Sequence, residues 1–141
     1  MSQDLSAFLP HRAPMLLLSR LDAFSAEGAR ATAELRAGNP FLRSDGLLER
    51  AAYVELMAQC FAAGAGALAR QAEKPPAAWG YLAALRDIAI HGDARLGDTL
   101  TASVNLVTAL GPVTVLEGEV RSADTLLARG QFKIFIPEQE G

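Results

Sequence analysis

The stretch ERAAYVELMAQCFAAGAGALAR, residues 49–70, limits the possible folds more than any other part of the chain. It is apolar and small nearly throughout and contains no proline, so it reads as one long helix. The helix is expected to begin near Leu47 and to end near Ala72, where EKPP follows. A glycine costs about 1 kcal/mol in a helix interior, so Gly64 and Gly66 imply close packing against another element rather than helix propensity. Within this helix Glu55 is the odd residue, with Gln59 one turn on. An isolated carboxylate is costly to bury. Yet Glu55 shares its face with Ala51, Ala52, Ala58, Gln59 and Ala62, where a solvated face would carry more charge. Val54, Met57, Phe61 and Leu68 read as core positions.

The flanking sequence has the period of strands. Residues 29–36 alternate Ala29, Ala31, Ala33 and Leu35 with Arg30, Thr32, Glu34 and Arg36, the mark of a half-buried strand. Before them, LSAFLPHRAP reads as a helical turn stopped by Pro10 and Pro14, and MLLLSRLDAF as a strand. AGNPFLRSDG is a loop by its glycines and proline. After the helix, WGYLAALRDIAIHG, TLTASVNLV, VTVLEGEVR and LLARGQFKIFI are strand-like. In the last, Leu126, Ala128, Phe132, Ile134 and Ile136 are expected on one face, with Gly130 marking a bend or bulge. Five or six strands around a single helix predict an α+β fold, an antiparallel sheet with the helix on one face.

At 141 residues without a linker or repeat, one domain over residues 1–141 is expected. A net charge of −3 gives no overall attraction to nucleic acid. The single cysteine, Cys60, has no intrachain disulfide partner and reads as a small buried hydrophobe. The N-terminus lacks the pattern of a secretion signal, and residues 47–72 carry Glu49, Arg50, Glu55 and Arg70, against a membrane span. A soluble cytoplasmic protein is the expectation. Two histidines and one cysteine without ligand spacing predict no metal. The mid-helix GAGA lacks the strand and basic residue of a phosphate loop, so no nucleotide cofactor is implied.

FLPHRAPMLLLSRL, then VELMAQ in the helix, then GYLAALRDIAIHGDARLGDTL resemble, in order and spacing, the 3-hydroxyacyl-acyl-carrier-protein dehydratases over residues 5–137. The resemblance implies the hot-dog fold, a curled antiparallel sheet around one long helix. It also implies a dimer whose interface holds a tunnel for an acyl thioester on acyl carrier protein or coenzyme A. Glu55 then corresponds to the family's helix glutamate, which protonates the departing 3-hydroxyl, with Gln59 as its hydrogen-bonding neighbour and Asn39 in support. The family's catalytic histidine, from a His-Phe-Pro-Gly loop, is replaced: if Phe41 aligns with the phenylalanine, Pro40 stands in its place. His11, in the LPHR motif, joins Asn39 and Gln59 as a candidate substrate-binding residue, and His91 lies at a strand end before Gly92-Asp93. NPFL with VELMAQ looks more like the dehydratase-like proteins of aryl polyene lipid synthesis in Gram-negative bacteria, which are thought to work beside a second hot-dog subunit. A non-catalytic partner subunit and a thioesterase are the alternatives. Acidic carrier protein calls for a cationic patch, for which Arg86 and Arg95 are candidates, with Arg12 and Arg43 behind them.

Overall fold

The chain forms six antiparallel strands and one helix in a computed structural model that describes residues 5, 12, 15–73 and 81–135, the side chains of 81–83 excepted. In chain order these are β1 (Arg20–Ser25), β2 (Gly28–Glu34), α1 (Ala51–Gln71), β3 (Tyr81–Ile90), β4 (Thr99–Leu110), β5 (Val113–Ser122) and β6 (Thr125–Phe135). One sheet runs in the order β1-β2-β4-β5-β6-β3, and α1 packs on β1, β2, β4 and β5. The expected α+β architecture is the observed one.

The alternation read in β2 is realised: Ala31 and Ala33 are buried, as is Leu35 just beyond the strand. Thr32, on the opposite register, is buried too, because its hydroxyl donates to the Asp22 carboxylate at 2.6 Å. In β4, Leu100, Ala102 and Val104 point inward. Through the cross-strand register they meet Ser122, Val120 and Gly118 of β5, and Gly118 and Val120 in turn meet Gly130 and Ala128 of β6. Gly111 takes φ 58 as the first residue of the two-residue turn joining Leu110 to Val113, a sense that suits the twist of a hairpin.

Three expectations are corrected. The helix starts at Ala51 rather than near Leu47, because Leu47 and Leu48 are drawn into bridges with Arg95 and Leu42. Leu126 leaves the inner face while Leu127 and Ala128 are buried, because β6 gains a residue where Val120↔Ala128 gives way to Arg121↔Leu126. The irregularity near Gly130 belongs to β3: Asp87 and Ile88 lie between the pairs Arg86↔Gln131 and Ala89↔Arg129, with Asp87 at φ 52. A Cβ on Gly130 would run into the Ile88 Cδ1 methyl and stand 3.3 Å from the Ile88 Cα, so a side chain there would require Ile88 to shift. Most of the LSAFLPHRAP segment, and Ile136, lie outside the described residues.

By length and composition α1 could cross a bilayer, despite its charged residues, but half of its most apolar window is buried inside the protein. Its sheet side holds Tyr53, Leu56, Met57, Cys60 and Ala63. Gly64 makes the predicted close approach: a Cβ there would stand 2.6 Å from Ala29 Cβ of β2. Gly66 does not face the sheet and is half-exposed. Cys60 is fully buried, its thiol donates to the Ala102 carbonyl at 3.5 Å, and burial pushes that thiol up to about 12, with the Asp22 charge adding to the effect.

Candidate functional site

The sheet covers only one side of α1. The opposite side, including Val54, Ala58, Phe61, Ala62, Ala65, Leu68 and Ala69, is half-exposed. Val54, Phe61 and Leu68 are thus not enclosed core residues as their apolarity implies; only Met57 of that set is fully buried. Between residues 51 and 69 the single charged side chain is Glu55, and it stands on this half-exposed stripe. An open helix face in a soluble domain ordinarily carries lysines, arginines and further carboxylates. This one carries small and apolar side chains, Val54, Phe61 and Leu68 among them, and one glutamate.

Gln59 anchors that glutamate. It is 0% exposed, and its amide serves three protein partners. Its Oε1 accepts from the backbone N–H of Leu17 at 2.9 Å. Its Nε2 donates to the Met15 carbonyl at 2.8 Å and to Glu55 Oε1 at 2.9 Å. These bonds explain why the apolar run MLLL is not a strand as expected: residues 15–18 have no sheet partner over that length and are held to α1 instead. Gln59 is thus the hydrogen-bonding neighbour of Glu55 that the resemblance implies, and its amide also binds the backbone at Met15 and Leu17.

The loop before the helix is stitched to the loop after β3. Asn39 Oδ1 accepts from the Phe41 N–H at 2.9 Å, an Asx turn. The Glu49 N–H donates to the Phe41 carbonyl, Leu48 to Ala94, and Leu96 to Gly46. Below them Tyr53, fully buried, accepts from the Ala94 N–H at 2.8 Å and donates to the Gly92 carbonyl at 3.3 Å. Burial raises the phenol above its ordinary 10.0, with the Ala94 bond opposing. Sequence reading passed over Tyr53. Its signal was a single hydroxyl on an otherwise apolar helix side, which needs partners when buried.

Among the described residues, the remaining candidates are not gathered around Glu55. His11 lies outside the described residues. His91 is exposed, its N–H donating to the Leu127 carbonyl. Arg86 on β3 and Arg95 after it are exposed, and Arg43 is paired with Asp45 at 2.9 Å. No group of three metal-ligating side chains occurs among the described residues. A mostly apolar cleft of about 230 Å³ opens between α1 and the β1–β2 and β4–β5 hairpins, lined by Ala29, Phe61, Ala65, Leu68, Leu106 and Leu116 among others, but not by Glu55. Phe61 is about 9 Å further along the helix than Glu55 and about 120° round it. This cleft thus does not reach the Glu55 carboxylate.

The inner face of the β3 end of the sheet is open as well. Leu85 pairs with the inward Phe132 yet is itself exposed, and Ile88 and Ile90 are half-exposed. β3 is an edge strand, so its outer backbone groups have no sheet partner among the described residues.

The fold is that of known hot-dog proteins. The dehydratase heterocomplex ApeI:P from Xenorhabdus doucetiae superposes with a TM-score of 0.88 at 24% identity, over 99% of this chain and 94% of that one. A hypothetical thioesterase with coenzyme A from Streptococcus pneumoniae TIGR4 matches at 0.68 and 15% identity, covering 86% and 88%. The PaaI protein of the phenylacetic acid degradation operon of E. coli matches at 0.65 and 16%, covering 82% and 80%. No curated protein sequence matches the chain. Thioesterase-like and dehydratase-like proteins share this architecture, so the sheet and helix do not separate them. Residues 3–141 match the ApeP-like family, described as ApeP dehydratase, and the chain, with Glu55 on its open helix face, belongs to that family.

Proposed function

We propose that this protein binds a 3-hydroxyacyl thioester, carried by acyl carrier protein or coenzyme A, against the open face of α1. There it takes part in eliminating water from the chain in the cytoplasm. The observation that carries this reading is the setting of Glu55: the one charged residue of positions 51–69, on a half-exposed face of small and apolar side chains, hydrogen-bonded to a buried amide. A second hot-dog subunit closes that face, pairing with the free edge of β3 and completing the acyl tunnel. The heterocomplex described for ApeI:P is a precedent for such pairing in a protein of similar fold.

In the elimination, a base removes a proton from C2. The C3–O bond breaks as Glu55 gives its proton to the leaving hydroxyl, which departs as water, and the electron pair forms the C2=C3 bond. With Pro40 in the place of the family's histidine and His91 on an exposed loop, the base is assigned to the partner subunit. Arg86 and Arg95 are assigned to docking the acidic carrier protein.

The test is hydration of an enoyl thioester by the purified protein, alone and mixed with a neighbouring hot-dog subunit. Loss of activity in Glu55→Gln, in whichever assembly is active, supports the reading. Activity in the mixture that is indifferent to Glu55→Gln makes the chain a non-catalytic partner, and thioester cleavage in place of hydration makes it a thioesterase.

A further inference from the structure

We infer that the apolar cleft beside the C-terminal half of α1, which lies within this chain and away from Glu55, receives the distal end of a long acyl chain. The inference rests on the thioester lying against the open face of α1 with its C3 at Glu55. Two hairpins and the helix wall the cleft. The Leu106 N–H donates to the Glu27 carbonyl at 2.7 Å, tying the β1–β2 turn to β4. β4 then takes in Val107 as an extra residue between the pairs Leu106↔Leu116 and Thr108↔Val115, and a bulged strand bends. Between Phe61 and Leu68, the helix residues that line the cleft are Gly64 and Ala65, too little side chain to fill the gap. About 230 Å³ is left open.

The lining decides what can enter. Glu27 is the only charged residue among those described around the cleft, and it is exposed. With no cation and mostly apolar walls, the cleft offers nothing to a phosphate or carboxylate and few partners to ordered water. Pockets for whole small molecules commonly measure about 300–1,000 Å³, so this one is too small for a thioester with its carrier arm. It suits the end of one: at about 30 Å³ per water-sized group, it holds about seven chain carbons. It is also continuous with the face that carries Glu55, since Ala58 and Ala62 lie between them and are half-exposed. Phe61 is about 9 Å along and about 120° round a helix about 11 Å across, a path of about 15 Å. A C–C bond of about 1.5 Å advances an extended chain by about 1.3 Å, so about eleven bonds span that path. With C3 at Glu55, chains begin to enter at about fourteen carbons and fill the cleft at about twenty.

The test uses the active assembly, as wild type and Ala65→Leu, with trans-2-octenoyl and trans-2-hexadecenoyl coenzyme A as substrates. Leucine is a good helix former, and at position 65 its branched end narrows the cleft. A methylene's misfit in an apolar pocket costs about 10- to 200-fold, so kcat/KM for the hexadecenoyl chain should fall at least about tenfold while the octenoyl value stays within about twofold. Equal losses for both substrates, as a partner side chain seated in the cleft would give, would overturn the inference. A second measurement needs no variant. Hexadecanoyl coenzyme A, 13C-labelled in its terminal methyl, is bound to the wild-type assembly below its micelle-forming concentration, and NOEs are expected from that methyl to Phe61, Leu68 and Leu106. Their absence with the ligand bound would overturn the inference, and would leave the acid role standing if Glu55→Gln abolishes turnover of the octenoyl substrate. Full activity in Glu55→Gln alongside those NOEs would overturn the acid role and leave the cleft assignment standing. A thioester that does not bind at all would overturn both.

Discussion

Removing one oxygen atom from Tyr53 offers a clean measurement of how the helix holds the loop beside it. Tyr53→Phe keeps the ring and deletes the hydroxyl that accepts from Ala94 at 2.8 Å and donates to Gly92 at 3.3 Å. Ala94 is fully buried, so its N–H would lose its acceptor with no water to replace it. An orphaned buried donor costs about 1–3 kcal/mol, and the longer Gly92 bond adds little; we expect a loss of about 2 kcal/mol. For 141 residues, an unfolding entropy of about 2.1 cal/mol/K per residue gives about 0.3 kcal/mol/K, so Tm should fall by about 7 °C. The same hydroxyl predicts a pH signature. Burial raises the phenol of the folded protein above 10.0, so the folded state holds its proton where the unfolded state has lost it. The stabilisation tied to this hydroxyl is complete below pH 10 and fades as pH rises through the folded-state value. Thermal unfolding of wild type and Tyr53→Phe between pH 8 and roughly 11 should show a Tm gap that narrows above about pH 10. A gap that widened there, or a drop of less than about 2 °C at neutral pH, would refute the reasoning.

Three further outcomes follow from the packing and the surface. Ala123 opens the two-residue β5–β6 turn at φ 52; relieving the left-handed penalty of about 1–2 kcal/mol against the extra chain entropy of glycine should leave Ala123→Gly about 0.5–1 kcal/mol more stable in a denaturant titration. Gly64→Ala would drive a methyl to 2.6 Å from Ala29 Cβ; an overpacking cost of about 1–3 kcal/mol exceeds the helix-propensity gain of about 1 kcal/mol. Ala29→Gly in the same chain should recover part of the loss, and strictly additive effects would argue against the contact. Arg86→Ala/Arg95→Ala should slow association with carrier protein at low salt by stopped-flow while leaving turnover of a coenzyme A thioester unchanged; equal association rates would remove these arginines from the docking surface.

Much of the architecture was open to inspection in the sequence, because strand and helix leave different periods behind. The alternation of residues 29–36 placed Ala31, Ala33 and Leu35 inward, and the glycine at 64 announced close packing. Glu55 stood out for a similarly local reason, a charge where the pattern has none. Other features depend on partners distant in the chain. Leu47 and Leu48 look helical by themselves and are pulled out of the helix by Arg95 and Leu42. The run at residues 15–18 looks like a strand and is captured by Gln59, 42 residues beyond Leu17. Periodicity is blind to such bonds, since it records which side of an element a residue takes and not what stands opposite.

The helix shows the division most plainly. Its length, its small side chains and its lone carboxylate are local properties of residues 49–70 and needed no third dimension to read. Which half of it meets the sheet, and hence that Val54, Phe61 and Leu68 share an open face with Glu55 while Tyr53 and Gln59 are sealed beneath, was settled by the curl of β1, β2, β4 and β5 around one side only. Burial is a sum over neighbours brought together by folding, and no residue carries that sum in its own identity.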